Sequence, residues 1–319
     1  MIHKDTSSLN PKDYSDWSYD GSSTDQAPGN DSDLVLRPAA VYPDPIRGGD
    51  NVLIICETYK SDGKTPVEAN HRVLLKEVVD KLDMKALDPW YGFEQEYTMM
   101  QSSGRVYGWP AGNAYPAPQG PFYCGVGSEA VYGRPLAEAH LDACLKAGLH
   151  LSGINAEVMP GQWEFQIGPV GPMELGDQTM VARYLLHRLG EDFGIAITLD
   201  PKPQAGDWNG TGGHTNFSTV PMREEGGLAV IDEAVEKLSK RHAEHIAAYG
   251  SGNERRLSGA HETCDINTFK SGVADRGSSI RIPIGVSLEG KGYLEDRRPS
   301  ANVNPYVVAR MLLETCCLN

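Results

Sequence analysis

Glu94 and Glu96 sit two residues apart in FEQEYTM, so an extended backbone sends both carboxylates to one face. A second acidic pair lies in NAEVMPGQWEF, residues 155–165, around Pro160-Gly161. Proline presets φ at the first central position of a tight turn, and glycine accepts the positive φ of a type II turn at the second. A two-residue hairpin there predicts Met159 opposite Gln162, Val158 opposite Trp163 and Glu157 opposite Glu164. Opposed residues hold their Cβ atoms roughly 4.5–5.5 Å apart, and two carboxylates at about 5 Å repel by roughly 3 kcal/mol at an effective dielectric near 20. Val158, Trp163, Phe165 and Ile167 mark this hairpin as half-buried, and buried charges need a counter-charge or a metal. Carboxylates along one side of a sheet suit hard divalent cations such as Mg2+ or Mn2+.

A third stretch, GGHTNFST, places His214, Asn216 and Ser218 on one face and Thr215, Phe217 and Thr219 on the other. Behind the flexible run Asn209–Gly213, His214 is a candidate ligand with nucleotide-contacting neighbours. The final third carries arginines at loop-like positions: Arg255, Arg256, Arg276, Arg281, Arg297 and Arg298. Arginine's planar fork grips carboxylate and phosphate bidentately. Taken singly, each feature also has a plain explanation as a solvated strand face, a satisfied histidine or a surface ion pair. Together they fit phosphoryl transfer, in which metals and guanidinium groups share the charge of a polyphosphate. No GxxxxGK[ST] loop is present to hold the nucleotide.

The elements that position these residues follow from periodicity. Residues 1 to about 33 are polar and turn-rich, which reads mostly as loop. LVLRPAAVYPDP and NVLIICETY read as two strands around a turn at Arg47-Gly48-Gly49. VEANHRVLLKEVVDKL, RPLAEAHLDACLKAGL, QTMVARYLLHRLGEDFG, LAVIDEAVEKLSKRHAEHIAAY and PYVVARMLLETCCL carry apolar residues at helical spacing. Between them lie strand candidates WYGFEQEYTM, LSGINAEV, QWEFQIG, IAITL, GGHTNFST and SSIRIP. Without a regular βαβ alternation, this order implies an α+β fold with a largely antiparallel sheet flanked by helices.

Composition bounds the partners. The chain has 319 residues, 40% hydrophobic and 23% charged, with a formal charge of −14. That charge argues against nucleic acid or anionic membrane as a partner and is compatible with cations. No targeting segment is visible at the start, so the expected location is intracellular. The six cysteines lack CxxC spacing and read as reduced thiols.

Eight motifs, WSYDGSST, YGFEQEYT, YPAPQGPFYCGVG, GINAEVMPGQWEFQIGP, DWNGTGGHTNFST, RRLSGAHET, VADRGSSIRIP and GYLEDRRPSANVNPY, stand in order from Trp17 to the C-terminus. The series resembles glutamine synthetase, type II (eukaryotic-type). The resemblance implies ATP-dependent ligation of ammonia to L-glutamate through γ-glutamyl phosphate, with two or more Mg2+ or Mn2+ per site. By resemblance, Glu96, Glu157 and Glu164 hold the first metal, and Glu94, His214 and Glu295 the second. Asn209, Gly210, Arg256 and Arg297 bind glutamate; Arg276 and Arg281 bind phosphate oxygens; Trp90, Asn216 and Ser218 contact the nucleotide. Glu262 matches the flap glutamate that shields the acyl phosphate and takes a proton from the amine. Asp20, with Ser23 close by, matches the aspartate that binds and deprotonates ammonium, in a loop supplied by the neighbouring subunit of a double-ring decamer. The implied compartment is cytoplasm or plastid.

The resemblance also implies a curved catalytic sheet over residues 67–319 and a shortened β-grasp-like domain over residues 1–66, since only sixteen residues precede Trp17. The expectation from that short start is weaker ring assembly and poorer ammonium activation. Two alternatives accompany the leading reading: a relative that is inactive or structural, and a ligase for another amine. The intact acidic and flap residues weigh against the first, and an ammonium pocket built from Asp20 and Glu262 weighs against the second.

Overall fold

The computed structural model describes residues 8–112, 114–116 and 120–318. Part of the YPAPQGPFYCGVG motif, residues 117–119, and the first residues of the polar start lie outside that set. Two sheets organise the chain. The first is antiparallel, in the order β1 (Trp17–Asp20), β2 (Asp33–Pro43), β3 (Val52–Tyr59). The polar start is therefore not loop throughout: WSYD pairs residue for residue with Asp33–Leu36 and ends on Asp20.

The larger sheet comprises β4 (Trp90–Met100), β5 (Leu151–Ala156), β6 (Gln162–Val170), β7 (Ala196–Thr198), β8 (Gly213–Ser218), β9 (Ser271–Val273), β10 (Ile280–Ile282) and β11 (Leu294–Asp296). Its order is β5-β6-β4-β8-β11-β10-β9, with β7 paired to the far end of β4. Every pairing is antiparallel except β9 with β10, in agreement with the expected α+β class.

Alternation divides this sheet into an apolar face and an acidic face. Tyr91, Phe93, Tyr97 and Met99 of β4, Trp163, Phe165 and Ile167 of β6, and Phe217 of β8 are buried in the main core. Burying each such side chain contributes roughly 1.5–3 kcal/mol. Helix Pro172–Phe193 packs on that core through Leu175, Ala182, Leu185 and Leu186, a stripe at helical spacing. It begins with proline in its first turn and ends at Gly194 in the left-handed conformation, the usual start and stop. Arg72 ties the first sheet to this helix, reaching Glu57 of β3 at 2.7 Å and Asp177 at 2.9 Å.

Two local expectations are corrected. The stretch LAVIDEAVEKLSKRHAEHIAAY forms two helices, Gly227–Lys240 and His242–Ala248, broken at Arg241. The 155–165 hairpin has a different register: Asn155, not Glu157, faces Glu164, and Ala156, not Val158, faces Trp163. The turn itself is as expected, with Gln162 N donating to Met159 O at 3.0 Å and Gly161 at φ 89°. A type II turn splays the strands of a two-residue hairpin, so four residues, Val158 to Gly161, intervene before Glu157 N meets Gln162 O at 2.9 Å.

Candidate active site

The acidic face gathers its charges by register. Glu96 of β4 lies opposite Glu164 of β6, Glu94 opposite His214 of β8, and Glu295 of β11 opposite Asn216. The like-charged pair across one ladder is thus Glu96/Glu164. Two trios bring one ligand atom from each member within 4.8 Å: Glu94, His214 and Glu295, and Glu96, Glu164 and His214. The first trio is the set expected for the second metal. In the other, His214 stands where Glu157 was expected. Glu157 lies outside both trios, its carboxylate accepting from Asn155 Nδ2 at 3.0 Å and Val158 N at 3.2 Å.

The electrostatics are those of a site built for cations. Burial raises the proton affinity of Glu164, and Glu94, Glu96 and Glu157 raise it further. Burial and then Glu96 do the same to Glu157. Burial, reinforced by Arg297, pushes His214 down to about 3, so its imidazole is neutral and able to ligate. Its Nδ1 faces Glu94 at 3.4 Å, and its Nε2 faces Arg256 Nη2 at 3.0 Å. Crowded buried carboxylates around a neutral imidazole are a donor set that fits Mg2+ or Mn2+.

Two cavities flank the cluster. One, of about 410 Å3, has an apolar wall and is lined by Trp90, Glu94, Asn216, Ser218, Arg223 and Tyr293 among others. The other is polar and lined by Glu96, Glu157, Asn209, Gly210, His214, Arg256, Glu262, Arg276 and Arg297. At its back, Gly212 N donates to Glu96 Oε2 at 2.6 Å, and a Cβ on Gly212 would sit 2.6 Å from Arg256 Nη2 and 2.9 Å from His214 Nε2. Only glycine allows that approach.

The sequence comparisons decide the family. A profile described as "Glutamine synthetase, catalytic domain" matches residues 68–249. The chain is 67% identical to the chloroplastic glutamine synthetase of Chlamydomonas reinhardtii over 309 residues, covering 96% of this chain and 80% of that protein. It belongs to the glutamine synthetase family, eukaryotic type. Identity to the Saccharomyces cerevisiae glutamine synthetase is 57% over 302 residues, 95% of this chain and 80% of that one. To glutamine synthetase root isozyme 5 of Zea mays it is 56% over 303 residues, 95% and 84%. A solved structure described as "Apo GmaS without ligand" superposes with a TM-score of 0.73 at 20% identity, covering 94% of this chain and 69% of that one. That likeness concerns the fold. Homo-oligomeric assembly is typical of glutamine synthetases.

Most residues expected from the glutamine synthetase motifs lie around the two cavities. Glu164 and Glu295 line neither, standing in the cluster between them, and nor does Arg281, which donates to Glu295 Oε2 at 2.8 Å while Arg297 donates to Glu295 Oε1 at 2.5 Å. Asp20 and Ser23 also line neither cavity; Asp20 is exposed and accepts from Ser22 and Ser23 hydroxyls at 2.6 and 2.5 Å. Hydrogen bonds from Ser22 and then Ser23 hold its carboxyl below the usual range. Several contributors were not foreseen. Gln166 donates to Glu164 and, at 2.7 Å, to Asn155. Arg223 stacks its guanidinium 4.0 Å over Trp90 and pairs with Asp88 at 3.0 Å. Arg298, expected at a loop-like position, is instead buried beneath β11 and clamps Asp296 at 2.8 Å, fixing the strand that presents Glu295. All six cysteines are free thiols, and no helix among the described residues is long and apolar enough to cross a membrane.

Proposed function

We propose that this protein ligates ammonia to L-glutamate with ATP, giving L-glutamine, ADP and phosphate through γ-glutamyl phosphate. One observation carries the reading: a single carboxylate–imidazole cluster joins an aromatic-walled cavity to a guanidinium-walled one. Such a site holds a nucleotide on one side, an amino-acid carboxylate on the other, and cations between them.

Each role follows from chemistry. A carboxylate is a poor electrophile, because its charge repels nucleophiles and oxide cannot leave; phosphorylation removes both obstacles. Glu94, His214 and Glu295, and Glu96 and Glu164 with Glu157 beside them, are the residues that would hold Mg2+ or Mn2+, which neutralises the phosphates and the acidic walls. Trp90 stacks the base, with Asn216 and Ser218 as polar contacts. Asn209, Gly210, Arg256 and Arg297 hold glutamate, and Arg276 and Arg281 the transferred phosphoryl group. Arg281 and Arg297 become available to anionic substrates once Glu295 has another cationic partner. Glu262, on the flap, excludes water and accepts a proton from the attacking amine. Ammonium has no lone pair, so it must be deprotonated, the role we assign to Asp20 with Ser23.

Because Asp20 lines neither cavity of its own chain, we assign its loop to the neighbouring subunit of a double-ring homo-oligomer. Residues 1–66 are read as a β-grasp-like unit and 67–319 as the catalytic domain. Cytoplasm or plastid is the proposed compartment. The test is a reaction of the purified protein with ATP, Mg2+, glutamate and ammonium. Glutamine and ADP are expected in equal amounts, with ammonium preferred over methylamine; bound nucleotide and metal with no amide product would contradict the proposal.

A further inference from the structure

The loop that carries Glu262 is held in an uncommon shape. His261 and Glu262 adopt left-handed φ values of 51° and 62° in succession, a conformation that side chains keep only where surrounding contacts over-determine it. Two of those contacts come from later in the chain: the Glu262 carboxylate pairs with Arg276 at 3.0 Å, and its carbonyl accepts from Arg297 Nη2 at 3.3 Å. A third comes from the segment bearing the glutamate contacts. His261 Nε2 lies 2.8 Å from Asp207 Oδ1, two residues before Asn209. That segment is a fixed post, because Trp208 packs on Trp109 at 4.6 Å between ring centroids, its carbonyl contacts Lys202 Nζ, and Trp109 Nε1 donates to Pro160 O at 2.7 Å.

We propose that the His261–Asp207 pair is a positioning latch that joins the flap to the Asn209–Gly210 wall and keeps Glu262 over the polar cavity. The latch rests on the flap role assigned to Glu262 above. Its purpose is to exclude water while the acyl phosphate waits for ammonia. With the latch open, a water oxygen adds to the γ-carbonyl carbon, the bond to the phosphate oxygen breaks with its electron pair, and the water protons pass to solvent. The products are glutamate and phosphate, so ATP is consumed without glutamine.

Asp207 is the residue to change. Its side chain is fully exposed and lines neither cavity, so its loss removes the tether and leaves the packing intact. For Asp207→Ala in the full chain, which removes the acceptor, ADP released per glutamine is expected to rise at least about two-fold, and amide exchange over residues 258–263 to quicken about five-fold. Asp207→Glu, which keeps the acceptor, is expected to restore both. Glu262→Ala serves as the reference for an open site and is expected to uncouple more strongly. If Glu262→Ala uncouples while Asp207→Ala matches the parent in both readouts, the latch is wrong and the flap reading stands. A lower kcat for Asp207→Ala with unchanged ADP-to-glutamine ratio and exchange also overturns it. If Glu262→Ala leaves the ratio unchanged, the flap reading fails and the latch falls with it.

Discussion

Glu164 shows what a metal site demands of single residues. Its proton affinity is raised above the ordinary carboxylate value of 4.5 by burial and by three neighbouring carboxylates, so the unfolded chain gives up this proton first. Stability without metal is therefore full below that value and is lost as pH rises from there through neutrality, by up to about 1.4 kcal/mol per pH unit for one proton. Thermal melts of EDTA-treated protein between pH 5 and pH 8 are expected to show this fall, and saturating Mn2+ to abolish it. Glu164→Gln is expected to flatten the metal-free profile and to weaken Mn2+ binding by about ten-fold or more, since one ligand is gone; calorimetric titration reads the affinity. The residues visible from sequence were those whose placement is local. Alternation alone put Glu94 with Glu96, and His214 with Asn216 and Ser218. Arg223 carried no such signal, because its partners Asp88 and Trp90 are set by packing between distant segments; Gln166, two residues from Glu164, shares its face by the same alternation.

At the scale of elements, the 155–165 hairpin separates what local chemistry determines from what it leaves open. Pro160-Gly161 specified the turn, yet the register depends on how strand twist fits a turn of that type, and the turn residues alone did not reveal the intervening four. The long helices were legible from their apolar spacing. Three-residue strands such as β9 and β11 were not, because a sequence so short has no period, and they exist only through their neighbours in the sheet. Gly161 tests the element directly. A Cβ there would stand 2.6 Å from Val106 Cγ1 and 2.8 Å from Tyr107 O, at a φ of 89°. Gly161→Ala is expected to cost about 1–3 kcal/mol in denaturant unfolding, and to raise KM for glutamate as the hairpin carrying Glu157 shifts.

For the whole molecule, the informative residue is Asp20. It sits at the end of an edge strand that the polar start concealed, and away from the cavities of its own chain. If its loop completes a neighbour's site, co-refolded Asp20→Ala and Glu295→Ala chains restore activity that neither has alone. Random mixing predicts about a quarter of the parent rate, as half the sites have an intact cluster and half of those an intact incoming loop. A mixture as inactive as its components would place Asp20 in the site of its own chain and contradict the shared site.

The most direct measurement of the central claim, that cations make this acidic cluster tolerable, is anomalous diffraction from crystals grown with Mn2+ and a non-hydrolysable ATP analogue. Two manganese peaks are expected within coordination distance of Glu94, His214 and Glu295 and of Glu96 and Glu164. Manganese bound elsewhere, with these side chains unligated and protonated, would contradict the account.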